Sequence, residues 1–299
     1  MDRPSEFVPG GRLTLTQGSS VTSADVTGAG TIYYEPHLHN RIPIWDGTKM
    51  RLHSFPASSV SLAVTLTSAK MYDVFAYWDG AKVRLGLSGA WTSATARADA
   101  VTTLAGLGHD GFVVNSLAYA GFGPKMGTHI ARIYASGTNT TEDSVTKRYV
   151  SNRYNQVVKG LFTCPGYVDD NTNTTYTTTS ATYVAANGGT GSKIQFISDG
   201  WNTVNFGFAG LMTVPAVQSG LMGIGVDSTT SAKVCILVNN ALTTSIAGTY
   251  PNIVLSEGYH AADLLVCVTG GTLTIYADIA RLGSSADPPS TYLNATLLG

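Results

Sequence analysis

Residues 45–52 read WDGTKMRL and residues 78–85 read WDGAKVRL, so six of eight positions recur at an offset of 33 residues. Asp-Gly is a strong signal for a hairpin turn, because both residues tolerate positive φ. After each turn, Lys and Arg alternate with apolar residues, as in a strand with one face in water. We therefore predict two hairpins with type I′ turns at Asp46-Gly47 and Asp79-Gly80. Turn chemistry leaves the two tryptophans unexplained, and a Trp-Asp pair that grips a sugar is the alternative interpretation.

The composition predicts an all-β protein with one or two short helices. Only 12% of the 299 residues are charged, and just four are Glu, whereas 33 are Gly. Glu and Lys favour helices, while the abundant Thr, Val and Tyr favour strands and Gly favours turns. The stretch 141–157 predicts a helix, because Thr caps it, acidic residues open it and basic residues follow. A second, short helix is predicted within residues 92–104.

The chain is expected to divide near residues 163–175, where a Cys-Pro-Gly turn, two aspartates and an Asn/Thr run lie together. Residues 1–160 carry 15 Lys/Arg and 11 Asp/Glu, whereas residues 161–299 carry 3 and 8. This asymmetry indicates two bodies. We predict an N-terminal mixed β domain before the linker, at 1–162, and a jelly-roll-like β-sandwich after it, at 176–299.

The net charge of −1 gives no general attraction for nucleic acid. No apolar run approaches the roughly 18 residues of a membrane span, so no membrane insertion is expected. The N-terminal sequence shows no secretory signal. The three cysteines (Cys164, Cys235 and Cys267) are odd in number and lack a CxxC pair. They are predicted to be buried free thiols of a protein made in a reducing cytoplasm.

Few residues suggest a chemical site, and neither a catalytic set nor a cofactor is predicted. His37 and His39, with Glu35 on the same strand face, could begin a metal site, although polar residues at a strand edge explain them as well. Ser144-Val-Thr-Lys147 matches the S-x-x-K pattern of penicillin-binding enzymes but lacks both companion motifs. Trp201, between Asp-Gly and Asn, is a candidate for stacking against a receptor glycan; its alternative is a core position at a strand start.

Five segments resemble, in the same order, a module of tailed-bacteriophage virion proteins such as tail fibres. They are GRLTLTQGSSVTSADVTGAGTIYYEP (11–36), IPIWDGTKM (42–50), YDVFAYWDGAKVRLGL (72–87), WTS (91–93) and TEDSVTKRYVSNRYN (141–155). The resemblance covers roughly residues 10–160, and in that module a Thr-Glu-Asp helix closes the unit. The end of the chain, EGYHAADLLVCVTGGTLTIYAD, is similar to terminal jelly-roll domains of fibre-like trimers. The chain has no collagen-like or coiled-coil stalk, so a long shaft is not expected.

The resemblance implies a non-enzymatic virion protein: a short fibre or spike on the tail or head that contributes to host adsorption. Its partners would be two further copies of itself, other tail, portal-proximal or capsid proteins, and a host surface glycan. A capsid decoration or cement protein is the alternative, and a tailspike-type polysaccharide depolymerase is the third. The sparse charge of the second half predicts an interface between copies of the chain. The resemblance to fibre-like trimers implies three copies around a threefold axis, with Cys235 and Cys267 buried and unpaired.

Overall fold

The structure is a computed structural model, and the prediction of an all-β protein is confirmed. It describes residues 8–99, 101–104, 112–166, 174–189, 191–216, 218–239, 243–277 and 291–299. Twenty-five strands lie in these ranges, and their one helical element is a 3₁₀ turn at Ala186–Gly189. Within the same ranges, no helix is long and apolar enough to cross a membrane.

The first half is built around a long antiparallel pair of strands. Its strands are β1 (Gly11–Thr14), β2 (Val26–Ala29), β3 (Thr31–Pro36), β4 (Arg41–Trp45), β5 (Met50–Ser54), β6 (Val60–Ala63), β7 (Met71–Trp78), β8 (Val83–Leu87), β9 (Val101–Leu104), β10 (Phe112–Asn115), β11 (Gly127–Gly137), β12 (Thr140–Asp143), β13 (Lys147–Arg148) and β14 (Val150–Asn152). Strand β7 pairs with β8 on one side and β11 on the other. Six of its eight residues are buried, which fits its nearly continuous apolar sequence MYDVFAYW. Strands β1, β3 and β6 form a separate three-stranded sheet, and β4 pairs with β5 alone.

The second half is a β-sandwich. Its strands are β15 (Val158–Thr163), β16 (Thr175–Thr178), β17 (Val184–Ala185), β18 (Lys193–Ser198), β19 (Thr203–Thr213), β20 (Ser219–Val226), β21 (Val234–Asn239), β22 (Thr243–Val254), β23 (Gly258–Val268), β24 (Leu273–Tyr276) and β25 (Tyr292–Leu298). One layer is a six-stranded sheet containing β19, and the other is the run β21-β20-β23-β18. Alternate residues of β19, such as Phe206 and Phe208, are buried between the layers against Ile224 and Leu264.

Strand β13 joins the two halves. It pairs antiparallel with β12, where Asp143 lies opposite Arg148, and parallel with β18, where Lys147 lies opposite Gln195. One fourteen-stranded sheet therefore contains strands from both halves of the chain. The two large apolar cores are distinct nevertheless: one draws its buried residues from positions 13–150 and the other from positions 161–297. A small third cluster, Met71, Trp91 and Ile197, contains residues of both halves.

The helix predicted at 141–157 is wrong, because this stretch contains β12, β13 and β14. The acidic and basic residues that suggested a capped helix instead pair across a tight turn. Glu142 lies 3.1 Å from Lys147, and Asp143 lies 3.3 Å from Arg148. Lys159 adds a second cation 2.5 Å from Asp143. Both carboxylates are buried, so these pairs are cross-strand contacts of a sheet interior rather than surface pairs of a helix.

Two smaller expectations also fall on described residues. The short helix predicted within 92–104 is wrong where the chain is described, because 92–99 is irregular and 101–104 is strand β9. Strand β15 ends at Thr163, the first residue of the predicted linker at 163–175, and pairs with β25 of the second half. Residues 167–173 of that linker lie outside the described residues, and a division of the chain into two separable domains stays a prediction.

Candidate functional site

Both WDG stretches form the tips of hairpins. Strand β4 pairs with β5 through Trp45 and Met50, and β7 pairs with β8 through Trp78 and Val83. Gly47 has a φ of 98° and Gly80 a φ of 97°. Of the central residues, only the glycine has positive φ in each turn, so the predicted type I′ geometry, which needs positive φ at both central residues, is wrong.

The aspartate of each motif holds its turn together. Asp46 Oδ1 accepts hydrogen bonds from the amides of Thr48 and Lys49, both at 2.9 Å, and Asp46 Oδ2 pairs with Arg51. The second hairpin repeats the arrangement: Asp79 accepts the amide of Lys82 at 2.8 Å and pairs with Arg84 at 2.7 Å. The shared Asp, Gly and Arg positions are therefore accounted for by local structure.

The shared tryptophan has a different role. Trp45 and Trp78, from two separate hairpins, line one cavity of about 440 Å³. The His53 ring stacks on Trp78 with centroids 4.3 Å apart and planes at 28°. The complete lining is Ile44, Trp45, Asp46, Arg51, His53, Trp78 and Met126. We call this space the hairpin cavity. Its walls are aromatic and apolar, and its polar groups are the Asp46–Arg51 ion pair and the imidazole of His53.

The charge state of the hairpin cavity follows from its contacts. Hydrogen bonds from Arg51, and then from Lys49 and Thr48, hold the pKa of Asp46 far below its usual range. Burial and, to a smaller extent, the charge of Arg51 lower the pKa of His53 below its ordinary value. The charge of Asp46 acts in the opposite direction but is the weaker effect. At neutral pH the cavity therefore offers a neutral imidazole, two indoles and one internally compensated ion pair. Such a surface suits an uncharged ligand with both apolar faces and hydroxyl groups.

Trp201 is 78% exposed, so the alternative of a core position at a strand start is wrong. It lies in the turn between β18 and β19. Asp199 Oδ1 accepts the amides of Trp201 and Asn202 at 2.9 and 2.8 Å, which fixes the turn. Trp201 lines a second cavity, far in sequence from the hairpins, that also includes Arg132 and Arg153.

The structure does not complete a metal site at the two histidines. Strand β3 ends at Pro36, and both histidines follow it. His37 Nδ1 lies 3.0 Å from Ser20 Oγ, His39 Nδ1 accepts the amide of Arg41 at 3.2 Å, and Glu35 accepts the amide of Gly18 at 2.8 Å. No group of three or more His, Cys, Asp or Glu side chains able to hold a metal lies among the described residues.

The remaining sequence candidates have structural roles or different surroundings. Ser144 Oγ donates to Glu142 at 2.8 Å, and Lys147 pairs with Glu142, so both residues of the S-x-x-K match belong to the β12–β13 turn. Cys267 is buried, but Cys164 is half-buried and Cys235 is exposed, so the prediction that all three thiols are buried is wrong. Cys235 lies on β21, where the alternate residues Cys235, Leu237 and Asn239 share the exposed face of the strand.

Sequence reasoning missed a buried charge network between the halves. Asp73, in the centre of β7, accepts hydrogen bonds from the Trp91 indole and Arg97 Nε, both at 2.9 Å. His129 Nε2 lies 3.0 Å from Asp73 Oδ1. Glu257 from the second half then pairs with both Arg97 and Arg132. The available signal was a lone carboxylate inside an apolar strand, which must find cationic partners when buried.

Fold and site thus define a multi-sheet, all-β protein with an aromatic cavity between two hairpins. No family model and no curated protein matches the chain. A structure of infectious bursal disease virus, Gx strain, is similar at 10% identity and a TM-score of 0.22, over 95% of this chain and 82% of that one. A Bacillus thuringiensis Cry1Da tryptic core variant is similar at 9% and 0.16, over 91% and 48%. A Phanerochaete chrysosporium exo-β-1,3-galactanase is similar at 10% and 0.15, over 97% and 68%. TM-scores this low give no basis for assigning a function, which is left to the chemistry of the cavities.

Proposed function

We propose that the chain is a non-enzymatic structural protein of a tailed-bacteriophage virion, and that its hairpin cavity binds a neutral glycan of the host surface. One observation carries the glycan assignment. Trp45 and Trp78, the repeated residues that the turns do not require, line the same cavity together with His53. The virion assignment is supported by the ordered resemblance of five segments in the first half to phage virion proteins.

The cavity fits a sugar for physical reasons. A pyranose ring has an apolar face of C–H groups that packs on an indole, and hydroxyl groups at its edge that need hydrogen-bond partners. The Trp78–His53 stack presents a flat wall, and the Asp46–Arg51 pair lies beside it with guanidinium donors still available. Glycan affinity at one such site is expected to be weak. Several copies held on one particle would convert it into firm attachment.

The experiment is a binding measurement on an array of neutral mono- and trisaccharides. We expect Trp78→Ala to weaken binding about tenfold, since losing roughly 60 Å² of apolar contact costs about 1.5 kcal/mol. Trp201→Ala is the matched control, because it removes an indole outside the hairpin cavity. Binding by Trp78→Phe should be intermediate. Absence of any bound neutral sugar, or equal binding by Trp78→Ala and the wild type, would refute the assignment.

Self-assembly is part of the proposal. Strand β21 ends its sheet, and no described strand pairs with its outer edge. Leu237 on this strand is 52% exposed, and Cys235 beside it is also exposed. An open edge with apolar side chains is a template for pairing with another chain. A second copy of this chain is the occupant we propose, with three copies in all, as in the fibre-like trimers that the second half resembles.

Light scattering at micromolar concentration tests the assembly. The wild type should give three times the chain mass of 31.3 kDa. Leu237→Lys should shift the mass toward the monomer, because burial of an unpaired charge is costly. Val158→Lys, at a 70% exposed apolar position of another strand, should leave the mass unchanged. A monomeric wild type, or equal effects of the two variants, would overturn this part of the proposal.

A capsid decoration or cement protein is the second candidate, and the same edge of β21 favours it. A cement protein needs surfaces that bridge subunits but no glycan site. Assembly through β21 together with failure of every glycan-binding test would select this candidate.

A further inference from the structure

A second cavity lies where the two halves of the chain meet. It has a volume of about 280 Å³. The loop after β14 contributes Arg153 and Gln156, the β18–β19 turn contributes Asp199 and Trp201, and Arg132 comes from β11. We call this space the junction cavity. It shares no residue with the hairpin cavity.

Arg132 is the unusual member of the lining. Its side chain is 1% exposed, and Nη2 donates to Glu257. Nε lies 3.8 Å from Asp73 Oδ1, beyond hydrogen-bond distance. Nε and Nη1 have no hydrogen-bond partner among the described residues. A buried cationic donor without a partner is costly, so these atoms indicate a group that binds there.

The acidic neighbours of Arg132 are already occupied. Asp199 accepts hydrogen bonds from the Trp201 and Asn202 amides and from Gln156 Nε2, the last at 2.9 Å. Glu257 is shared between Arg132 and Arg97. Arg153, the other cation of the lining, forms no ion pair with a described residue; its guanidinium lies 6.0 Å from the centre of the Tyr154 ring. The lining of the junction cavity therefore holds two guanidinium groups, on Arg132 and Arg153, and one carboxylate, on Asp199.

Trp201 supplies the other half of the recognition surface. Its indole is 78% exposed, and two amide hydrogen bonds to Asp199 fix the turn that carries it. An exposed indole beside unused guanidinium donors combines an apolar platform with an anion site. We propose that the junction cavity binds an acidic sugar, with its carboxylate on Arg132 and Arg153 and its ring against Trp201.

Size and charge select this ligand class. The cavity volume of about 280 Å³ is at the lower end of the range of roughly 300–1,000 Å³ for drug-sized ligands, so one sugar unit fits better than a chain. A planar carboxylate matches the guanidinium fork. The carboxylate of Asp199 in the same lining disfavours a doubly charged phosphate.

The state of Arg132 agrees with an anion site. Burial lowers the pKa of Arg132 to about 9; Asp73 and, to a smaller extent, Asp199 oppose the shift, and the charges of Arg97 and Arg153 add to it. A bound carboxylate would favour the charged guanidinium. Ligand binding should therefore also raise the thermal stability of the chain.

Titration calorimetry of the full chain with methyl β-glucuronide and methyl β-glucoside tests the proposal, because these probes differ only at the carboxylate. We expect the glucuronide to bind at least tenfold more tightly. Trp201→Ala and Arg153→Gln should each weaken glucuronide binding about tenfold, while Trp201→Phe should retain most of it. Arg132 itself is left intact, because its removal would leave Glu257 without one partner.

Trp78→Ala separates this site from the hairpin cavity. Glucuronide binding should be unchanged in that variant, even if no neutral sugar binds the hairpin cavity. Equal affinities for glucuronide and glucoside would overturn the proposal. So would unchanged glucuronide binding by Trp201→Ala, or tighter binding of inorganic phosphate than of the glucuronide.

Discussion

Replacement of the hairpin glycines by valine is the sharpest test of the turn geometry. Gly47 and Gly80 have φ values of 98° and 97°, and an added Cβ would meet no atom within 4 Å at either position. The added Cβ therefore meets no neighbour, and we expect the cost to come from backbone strain. A side chain in this region costs about 1–2 kcal/mol. We expect Gly47→Val and Gly80→Val each to lower the free energy of unfolding by that amount.

Gly160 on β15 is the matched control. An added Cβ there also meets no atom within 4 Å, but its φ lies outside the positive region. Gly160→Val should therefore be neutral or stabilising by up to about 1 kcal/mol, through the lower entropy of the unfolded chain. Urea unfolding followed by tryptophan fluorescence suits the comparison, because three of the four tryptophans lie in the first half. A Gly47→Val variant as stable as Gly160→Val would refute the turn geometry.

Three further outcomes follow from the buried charges and the linker. Burial lowers the pKa of His260, but its hydrogen bonds to Asp227 and to a backbone carbonyl raise it more, so the net pKa is above the ordinary value. The stability that His260 contributes is fully present below its unfolded pKa of about 6.5 and is lost as pH rises through the folded pKa. The difference in unfolding free energy between wild type and His260→Gln should therefore shrink from pH 6 to pH 8. A difference that stays constant over this range would contradict the prediction. Asp73→Ala should lower the free energy of unfolding in urea by about 3–5 kcal/mol, because it leaves buried cations unpaired. Asp79→Ala, which removes an exposed ion pair, should lower it much less. Similar losses in the two variants would contradict the buried charge network. Limited proteolysis should cut first within residues 163–175, and the fragments should co-elute because β13 and Glu257 join the halves; first cuts elsewhere would count against two domains.

The hairpins could be predicted from the sequence because their determinants are local. Asp, Gly and the alternating residues after the turn act within eight positions. The turn type was predicted wrongly because Asp46 precedes the two central residues instead of being one of them. The fact that both tryptophans meet in one cavity depends on how the two hairpins pack, which no local pattern contains.

The stretch predicted as a helix, residues 141–157, contains a strand signal that the helix prediction overlooked. Asp143 and Arg148 are five residues apart, as are Asp46 and Arg51. A helix brings residues three or four apart together, whereas a tight hairpin brings residues five apart together. The five-residue offset of opposite charges was thus a strand signal. Intrinsic preference agreed with it, since this stretch is rich in Thr, Val, Ser and Tyr.

The junction cavity and its charges lay beyond sequence reasoning for a different reason. Arg132, Arg153 and Trp201 come from three separate segments, and their proximity depends on the sheet that β13 carries from one half into the other. Trp201 could be proposed as an exposed residue from its turn context. Its arginine partners could not: the apolar strand around Arg132 indicates burial, as it does for Asp73, but no local sequence shows that Arg132 and Arg153 share a cavity.

Electron cryomicroscopy of purified phage particles, with antibody fragments raised against the chain as labels, tests the central claim most directly. The account predicts label on the outside of the particle, on projecting groups of three copies, with the hairpin cavity accessible to solvent. Adsorption of particles that carry Trp78→Ala should be weakened relative to particles that carry Gly160→Val. Absence of the chain from purified particles, or its location only inside them, would contradict the account.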